Sequence, residues 1–394
     1  MTEFKYLPVG EVCTTISDTY HGYAKMVTLI NTSDVLEGKV LNHVKVPNAN
    51  LKGQFKKTFQ QNDILYSEIR PQNKRFAYVD FPPTDYIAST KLMVIRADSD
   101  KVSPKYLYYF LKSNATIEEL QMLAETRSGT FPQITFTELA NLTIPVPPVA
   151  IQENIVKTLQ CIEDKINCNE SINDNLQQQA ELLYHERFET ADRSNLPVGW
   201  RIVRLGDVAT ISKKSFNPAK EPEMLLEHYS IPAFDEAHFP VFELSTAIKS
   251  NKFVVDNTCF MISKLNPTTK RVWKPYCLTE NAVCSTEFIV YKANRQEITD
   301  FLYSVIDSSS FSDFMCSHVT GSTGSRQRTT PSDTLAFELI LPTAEEIAEY
   351  QGIVSPMFEQ IKCNAIENDE LKRLRDSLLP KLMSGEIDVS SIQL

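Results

Sequence analysis

Glycine is scarce in this chain, at 11 of 394 residues, and its scarcity argues against several functions at once. Loops that bring backbone against a nucleotide depend on glycine, because only a residue without Cβ permits the approach. Neither GxGxxG nor GxxxxGK[ST] occurs, and Gly38-Lys39 is followed by valine with no upstream glycine. HExxH is missing too, since His185-Glu186 is followed by Arg187-Phe188-Glu189, and so is GxSxG. A base-methylating enzyme shows an Asn/Asp-Pro-Pro-aromatic loop, which Phe81-Pro82-Pro83-Thr84 and Asn266-Pro267-Thr268 do not match. The eight cysteines (13, 161, 168, 259, 277, 284, 316 and 363) form no CxxC pair and no zinc-finger cluster, so isolated reduced thiols are expected. Six scattered histidines add no metal-ligand pattern. The expectation is a chain with no catalytic residues, no metal and no cofactor.

Long apolar runs are also missing. No stretch reaches the roughly 18–20 apolar residues of a membrane span. The opening residues MTEFKYLPVGEV carry no basic segment ahead of an apolar one. A cytoplasmic protein with no membrane partner is expected. Hydrophobic residues at 42% and charged residues at 23% are those of an ordinary globular protein, long enough for two or more domains.

What is present is a duplication. Ile87–Ala97 (IASTKLMVIRA) matches Val283–Ala293 (VCSTEFIVYKA) at an offset of 196. That offset also aligns Gly10-Glu11-Val12 with Gly206-Asp207-Val208, and Ser67, Pro71, Lys74 and Arg75 with Ser263, Pro267, Lys270 and Arg271. Near an offset of 195, Tyr106-Leu107-Tyr108 meets Phe301-Leu302-Tyr303 and Gly129 meets Gly324. Ordered blocks at nearly constant spacing identify an internal repeat. Each copy reads as strands rich in Val, Ile, Phe and Tyr, then a short helix (Pro104–Lys112; Gln296–Ile306), a Gly/Ser/Thr loop and a last strand ending in proline.

Each copy then runs into a long helix. From Val149 to Phe188, Ile155, Leu159, Ile162, Ile166, Ile172, Leu176, Ala180 and Leu183 recur mostly at threes and fours. Such a helix would be about 50–60 Å long, which suits a coiled-coil spacer better than an ordinary domain. Its partner is expected at Ala344–Leu379, with a seam of Ile347, Val354, Phe358, Ile361, Ala365, Leu371, Leu374 and Leu378. Pro356 is expected to kink that helix or mark its start, and Pro380 to end or kink it, with Gly385 a C-cap if a last turn persists. Asn169 sits at a seam position, where a buried Asn fixes register, although simple exposure reads equally well.

Net charge is −10, and its distribution matters more than its sum. Residues 1–148 are net +1 and 197–342 net −1, while 149–196 and 343–394 each carry −5. Acidity therefore sits on the helices and suits a protein partner, whereas the globular segments are free to bind DNA through local basic patches. Three groups supply such patches. The hairpins offer Arg70, Lys74, Arg75 and Phe76, and in the second copy Lys264, Lys270, Arg271, Trp273 and Lys274. The loops before the last strands offer Arg127 and Gln133, then Arg326, Gln327 and Arg328. Lys56-Lys57 and Lys213-Lys214 do not align at the repeat offset. Arg and Lys neutralise phosphates, Arg bonds bidentately to guanine, and Gln pairs with adenine. Any one basic turn reads more readily as solvated surface; recurrence at matching repeat positions favours recognition.

At these residues the chain resembles the specificity (S) subunit of type I restriction–modification systems, over essentially its whole length. Leu196-Pro197-Val198-Gly199-Trp200 followed by Val203-Arg204-Leu205-Gly206-Asp207-Val208 is similar to the start of that family's second target-recognition domain. Gly321–Arg328 resembles its Gly-Ser-Thr-Gly-x-x-Arg loop, and the first copy departs with Gly129-Thr130-Phe131-Pro132-Gln133. Pro145-Val146-Pro147-Pro148 with Gln152-Glu153 resembles the lead-in to a spacer helix, of which Leu341-Pro342 with Glu345, Glu346 and Gln351 is a looser version. Leu378–Ile387 (LLPKLMSGEI) is similar to the family's C-terminal tail. The resemblance implies an α+β chain with two homologous globular target-recognition domains, separated by two long antiparallel helices as an intramolecular coiled coil, with pseudo-twofold symmetry. Target-recognition domain 1 would be residues 1–148, the central spacer helix 149–195, target-recognition domain 2 residues 196–342, and the second helix and tail 343–394. It also implies a non-catalytic subunit whose domains each read half of a bipartite, asymmetric double-stranded DNA site while the helices fix the spacer. Two methyltransferase (M) subunits would dock on it, and restriction (R) subunits would join the full complex. Half-sites read from one side lie about 34 Å apart, within reach of such a rod. Two other readings are weighed: a coiled-coil adaptor with duplicated protein-binding domains, and a nuclease using Glu163-Asp164-Lys165.

Overall fold

The structure, a computed structural model, describes residues 4–49, 51, 53–127, 131–320 and 327–390, with the side chain of Arg127 outside that description. The chain divides into two compact units: Met1–Lys165 with Leu371–Leu394, and Ile166–Glu370. Both long helices run through the division, as Val149–Tyr184 and Ala344–Ser384.

Within the first unit, Lys5–Pro8 pairs antiparallel with Thr143–Val146, so the first strand meets the last. One four-stranded sheet has the order Cys13–Ile16, Leu92–Ala97, Ile64–Ser67, Phe76–Tyr78. A second has the order Lys45–Pro47, Met26–Ile30, Tyr86–Ser89, Phe55–Lys57, with its central pair parallel. The second unit repeats this plan. Arg201–Arg204 pairs with Glu338–Leu341, and one sheet runs Ala209–Ser212, Phe288–Ala293, Cys259–Ser263, Val272–Trp273. The other runs Val241–Leu244, Leu225–Tyr229, Ala282–Ser285, Lys252–Val254, again with a parallel central pair, and adds Ser215–Phe216 at its edge. The duplication therefore holds in strand order and direction as well as in sequence.

Packing explains one of the aligned motifs. A Cβ at Gly10 would stand 3.0 Å from Ala140 Cβ, and one at Gly206 would stand 3.3 Å from Leu335 Cβ. Ala140 and Leu335 are themselves repeat equivalents, so the same close contact favours glycine in both copies. Each unit also has a helix where the sequence pattern suggests a loop, Asn114–Arg127 and Ser309–Ser317. Ile117, Leu120 and Ala124, spaced by three and four, are buried in the first. Ser308 Oγ accepts from Phe311 N at 3.2 Å and caps the second.

Within each unit the two long helices pack antiparallel. In the first, Ile155 and Leu159 share a core with Leu379, Leu382 and Met383, and Asn154 Nδ2 donates to Val389 O at 3.1 Å. In the second, Ala180 and Tyr184 share a core with Ile347, Tyr350, Val354 and Phe358. A heptad seam runs through Ile155, Leu159, Ile162, Ile166, Asn169, Asn173, Leu176 and Ala180. Ile172 is therefore off the seam and 40% exposed, as is Leu374 at 46%, because the antiparallel register uses Leu379 and Leu382 in the second helix. Asn169 is buried: its Nδ2 donates to Asn368 Oδ1 at 2.9 Å and Glu367 Oε2 at 2.8 Å. Asn364 Nδ2 donates to Asn173 Oδ1 at 2.8 Å, completing a polar layer inside the apolar seam.

The second helix passes unbroken through Pro356 and Pro380 to Ser384. A proline inside a helix costs about 3 kcal/mol. Burial of Val354, Phe358, Leu379 and Leu382 beside the two prolines offsets that cost. Gly385 then takes φ +76° and ends the helix. The start of this helix lacks the proline pair of the first and has a capping box instead. Thr343 N donates to Glu346 Oε2 at 3.1 Å, and Glu346 N donates to Thr343 Oγ1 at 3.3 Å. Trp200 Nε1 also donates to Glu346, at 2.6 Å, and Gly199, with φ +89°, delivers the chain to that contact. Gln152 in the first helix and Gln351 in the second accept from the backbone at the start of a neighbouring short helix, from Ser103 N at 2.8 Å and Phe301 N at 3.1 Å.

Replacing Asn169 by leucine strands the buried amide of Asn368 and is expected to destabilise the chain by about 1–3 kcal/mol. Changing both residues to leucine is expected to recover most of that loss, since two apolar groups then face each other. Denaturant unfolding of the two variants checks this, and a double variant as weak as the single one would contradict it.

Candidate nucleic-acid interface

The hairpin and the loop before the last strand, separate groups in sequence, are joined by backbone hydrogen bonds in both units. In the first, Arg70 N donates to Pro132 O at 3.1 Å and Ile134 N to Glu68 O at 2.9 Å. In the second, Asn266 N donates to Gln327 O at 2.9 Å and Thr329 N to Lys264 O at 3.1 Å. Ile69 bridges to Gln133, and Leu265 to Arg328. A third strand-connecting turn joins each site, through Glu68 N to Lys91 O at 3.1 Å and Lys264 N to Glu287 O at 2.9 Å. The hairpin backbones start alike, for Ser67 Oγ accepts from Ile69 N and Ser263 Oγ from Leu265 N, both at 3.1 Å. Three positions thus converge in each copy: 68, 91 and 133 in the first, 264, 287 and 328 in the second.

The side chains on this shared backbone differ. Lys91 Nζ lies 3.3 Å from Glu68 Oε2 and donates to Gln133 Oε1 at 3.3 Å. In the second copy the polarity is reversed, with lysine at 264 and glutamate at 287. Glu287 holds Arg328 instead of Lys264, accepting from Nε at 3.0 Å and Nη2 at 3.1 Å. These two charge-assisted bonds raise the guanidinium's pKa above its ordinary value. Glu68, Lys91 and Glu287 are not among the residues that basic patterning singles out, although Lys91 and Glu287 stand at the one charge reversal in the best-matched repeat block.

The remaining candidates divide by environment. Arg70 is exposed, in the left-handed region at φ 44°, and Lys56, Lys213 and Lys214 are exposed as well. Gln327 is partly buried. Lys57 instead donates to Leu92 O at 2.8 Å, where burial lowers its pKa. Lys74 pairs with Glu37 at 3.1 Å, and Arg75 Nη1 donates to Ser33 O at 3.1 Å. Arg271 grips Asp235 through Nε at 2.6 Å and Nη2 at 2.9 Å, and Lys274 pairs with Asp300. Lys270 faces the central helix, 3.1 Å from Glu181 and 3.2 Å from Asp307. Arg326 lies outside the described residues, and so does the side chain of Arg127.

Glu163, the carboxylate of the nuclease reading, accepts from Tyr109 Oη at 2.8 Å and pairs with Lys112, with Arg375 Nη1 3.9 Å away. It anchors the first unit's short helix to both long helices. Among the described residues no group of three or more His, Cys, Asp or Glu is placed to hold a metal ion, and no helix is long and apolar enough to cross a membrane.

A family model described as the type I restriction modification DNA specificity domain matches residues 9–178. The HindI specificity subunit of Haemophilus influenzae, a type I restriction enzyme component, is 30% identical over 98% of this chain and 100% of its own. This chain belongs to the family of type I restriction–modification DNA specificity subunits. A second relative of this specificity subunit, the MjaIX specificity subunit of Methanocaldococcus jannaschii, is 26% identical over 74% of this chain and 71% of its own. The crystal structure of a type I restriction–modification S subunit from M. genitalium shares the fold with a TM-score of 0.55, at 14% identity over 97% of this chain and 96% of that one.

In the second unit of the specificity subunit, Asp307 is a polar anchor to the central helix, accepting from Gln177 Nε2 at 2.5 Å beside Lys270. Burial pushes its pKa up to about 6, against the opposing pull of Lys270. A carboxyl whose folded pKa is raised adds stability below its unfolded pKa, about 4, and loses it as pH rises through about 6. The stability of the native chain relative to Asp307→Asn is expected to fall between pH 4 and pH 7, by on the order of 2–3 kcal/mol. Unfolding of both proteins across that range checks this, and a constant difference would contradict it.

Proposed function

We propose that residues 1–148 and 196–342 each read one half of a bipartite, asymmetric double-stranded DNA sequence, and that the helices of 149–195 and 343–394 fix the spacer. The observation that carries this reading is the repeated junction of hairpin and pre-strand loop, the same backbone in both copies with different polar side chains mounted on it. A duplicated scaffold with unlike heads suits the reading of two unlike half-sites.

Arg70, Gln133, Lys264, Gln327 and Arg328, at the junctions, are the proposed readers of base edges. The exposed Lys56, Lys213 and Lys214 are proposed phosphate contacts, and Arg127 and Arg326 keep the DNA-binding role their sequence positions suggest. Lys57, Lys74, Arg75, Lys270, Arg271 and Lys274 serve the interface by holding its hairpins in shape. The chain itself is non-catalytic in this reading. Two methyltransferase (M) subunits dock on it and supply adenine methylation, and restriction (R) subunits supply cleavage, all in the cytoplasm. The acidity of both helical segments, −5 each, supports a protein partner there over phosphate.

Exchanging residues 196–342 for those of a relative is expected to change one half of the methylated sequence and leave the other. Change in both halves, or in neither, would refute modular reading. Inserting one helical turn of about four residues near Asn175 is expected to change the spacer with both half-sites intact. An unaltered spacer in the methylated motif would remove the ruler role.

A further inference from the structure

The Glu287–Arg328 pair poses a question that a simple surface ion pair does not answer. Lys264 is bonded through its backbone N–H to Glu287 O, so a lysine is the carboxylate's neighbour along the backbone. Glu287 nevertheless takes Arg328, through both of its oxygens. The equivalent residues in the first unit, Glu68 and Lys91, form a side-chain ion pair between those two positions, where Glu287 turns to Arg328. Reversing polarity between the copies thus frees the carboxylate for the third position, which is arginine in the second copy and glutamine in the first.

A carboxylate beside DNA is repelled by phosphate, so Glu287 weakens whatever phosphate affinity Arg328 has. What it supplies instead is direction. A guanidinium held through Nε and Nη2 is fixed in plane and angle, and this one is 44% exposed. A rigid, planar donor edge matches the paired O6 and N7 acceptors of guanine, whereas a mobile arginine serves phosphate equally well. The neutral Gln133 in the first copy has no such fork and is steadied by Lys91 through its carbonyl.

We propose that Arg328 reads a guanine in the half-site of the second domain and that Glu287 is the positioning residue that aims it. This rests on the DNA-reading function proposed above. It also assigns a difference between the two half-sites to one position: the first domain, with Gln133 there, does not demand guanine at the matching place.

The test uses the full chain co-expressed with its methyltransferase subunits, read out as the methylated sequence motif in genomic DNA. The native complex must first give a motif that disappears without this chain; otherwise the DNA-reading function itself fails, independently of Arg328. Arg328→Gln is expected to relax one G·C position in one half-site, with discrimination falling roughly 10- to 100-fold there and the other half-site unchanged. Glu287→Gln, which keeps the side chain's volume, is expected to relax the same position. Arg328→Lys, which keeps the charge, is expected not to restore it. Because these last two replacements are close in size to the native residues, they also guard against loss of folding in Arg328→Gln. An unchanged motif with methylation lowered equally at every site would make Arg328 a phosphate clamp and overturn the proposal. So would relaxation by Arg328→Gln without any effect of Glu287→Gln, or full specificity in Arg328→Lys.

Discussion

The contact on which the rest of the molecule depends is the antiparallel pairing of two long helices around a buried asparagine layer. Asn169 bonds Asn368, 199 positions further on, and the same spacing relates Gln152 to Gln351 and Ile155 to Val354. At the centre of the seam a residue therefore meets its own repeat equivalent, which is the isologous relation expected at the axis when two copies of one pattern pair antiparallel. An all-apolar seam would tolerate slippage by a heptad, whereas a buried amide out of register loses its partner at a cost of about 1–3 kcal/mol. Register is thus written into a few polar residues, and a helix pair proposed as a ruler needs a fixed register before it can measure anything.

Each globular part is tied to that pair by polar anchors that use different chemistry at matching places. Lys112 reaches Glu163 in the first unit, and Asp307, its equivalent at an offset of 195, meets Lys270 and Gln177 in the second. The same exchange of charge sign recurs where the hairpin joins the loop before the last strand. Backbone hydrogen bonds carry the shared architecture, and side-chain polarity is left to diverge. For a protein proposed to read two unlike sequences with one fold, that division separates stability from specificity.

Much of this was legible in the chain. The duplication, the two helices and the family likeness follow from repeat spacing and seam periodicity, because those signals extend over tens of residues. Asn169 was recognisable as a seam position, but only its neighbours Glu367 and Asn368 decide between burial and exposure. In the last third of the second helix Leu374 departs from the expected seam and is exposed, whereas Leu378 packs against the core beside Leu379 and Leu382, because the partner's register selects which leucines are covered. Pro356 as a start and Pro380 as an end are not borne out, since the helix runs through both, because local propensity is visible in sequence and the offsetting burial is not. At the interface, basic residues were found by type, but type does not tell Arg70, exposed, from Arg271, locked on Asp235. Glu68 and Glu287 were passed over because acidic residues are not sought in a DNA-binding surface, and only the fold shows that they steady its cations.

The central claim is that this chain alone decides which sequence its complex modifies. Methylome sequencing of cells carrying candidate methyltransferase subunits, with and without this gene, tests it most directly. The account predicts a bipartite methylated motif, two defined half-sites around an unspecified spacer, present only when the gene is present. The same motif appearing without the gene, or no gene-dependent motif at all, would contradict it.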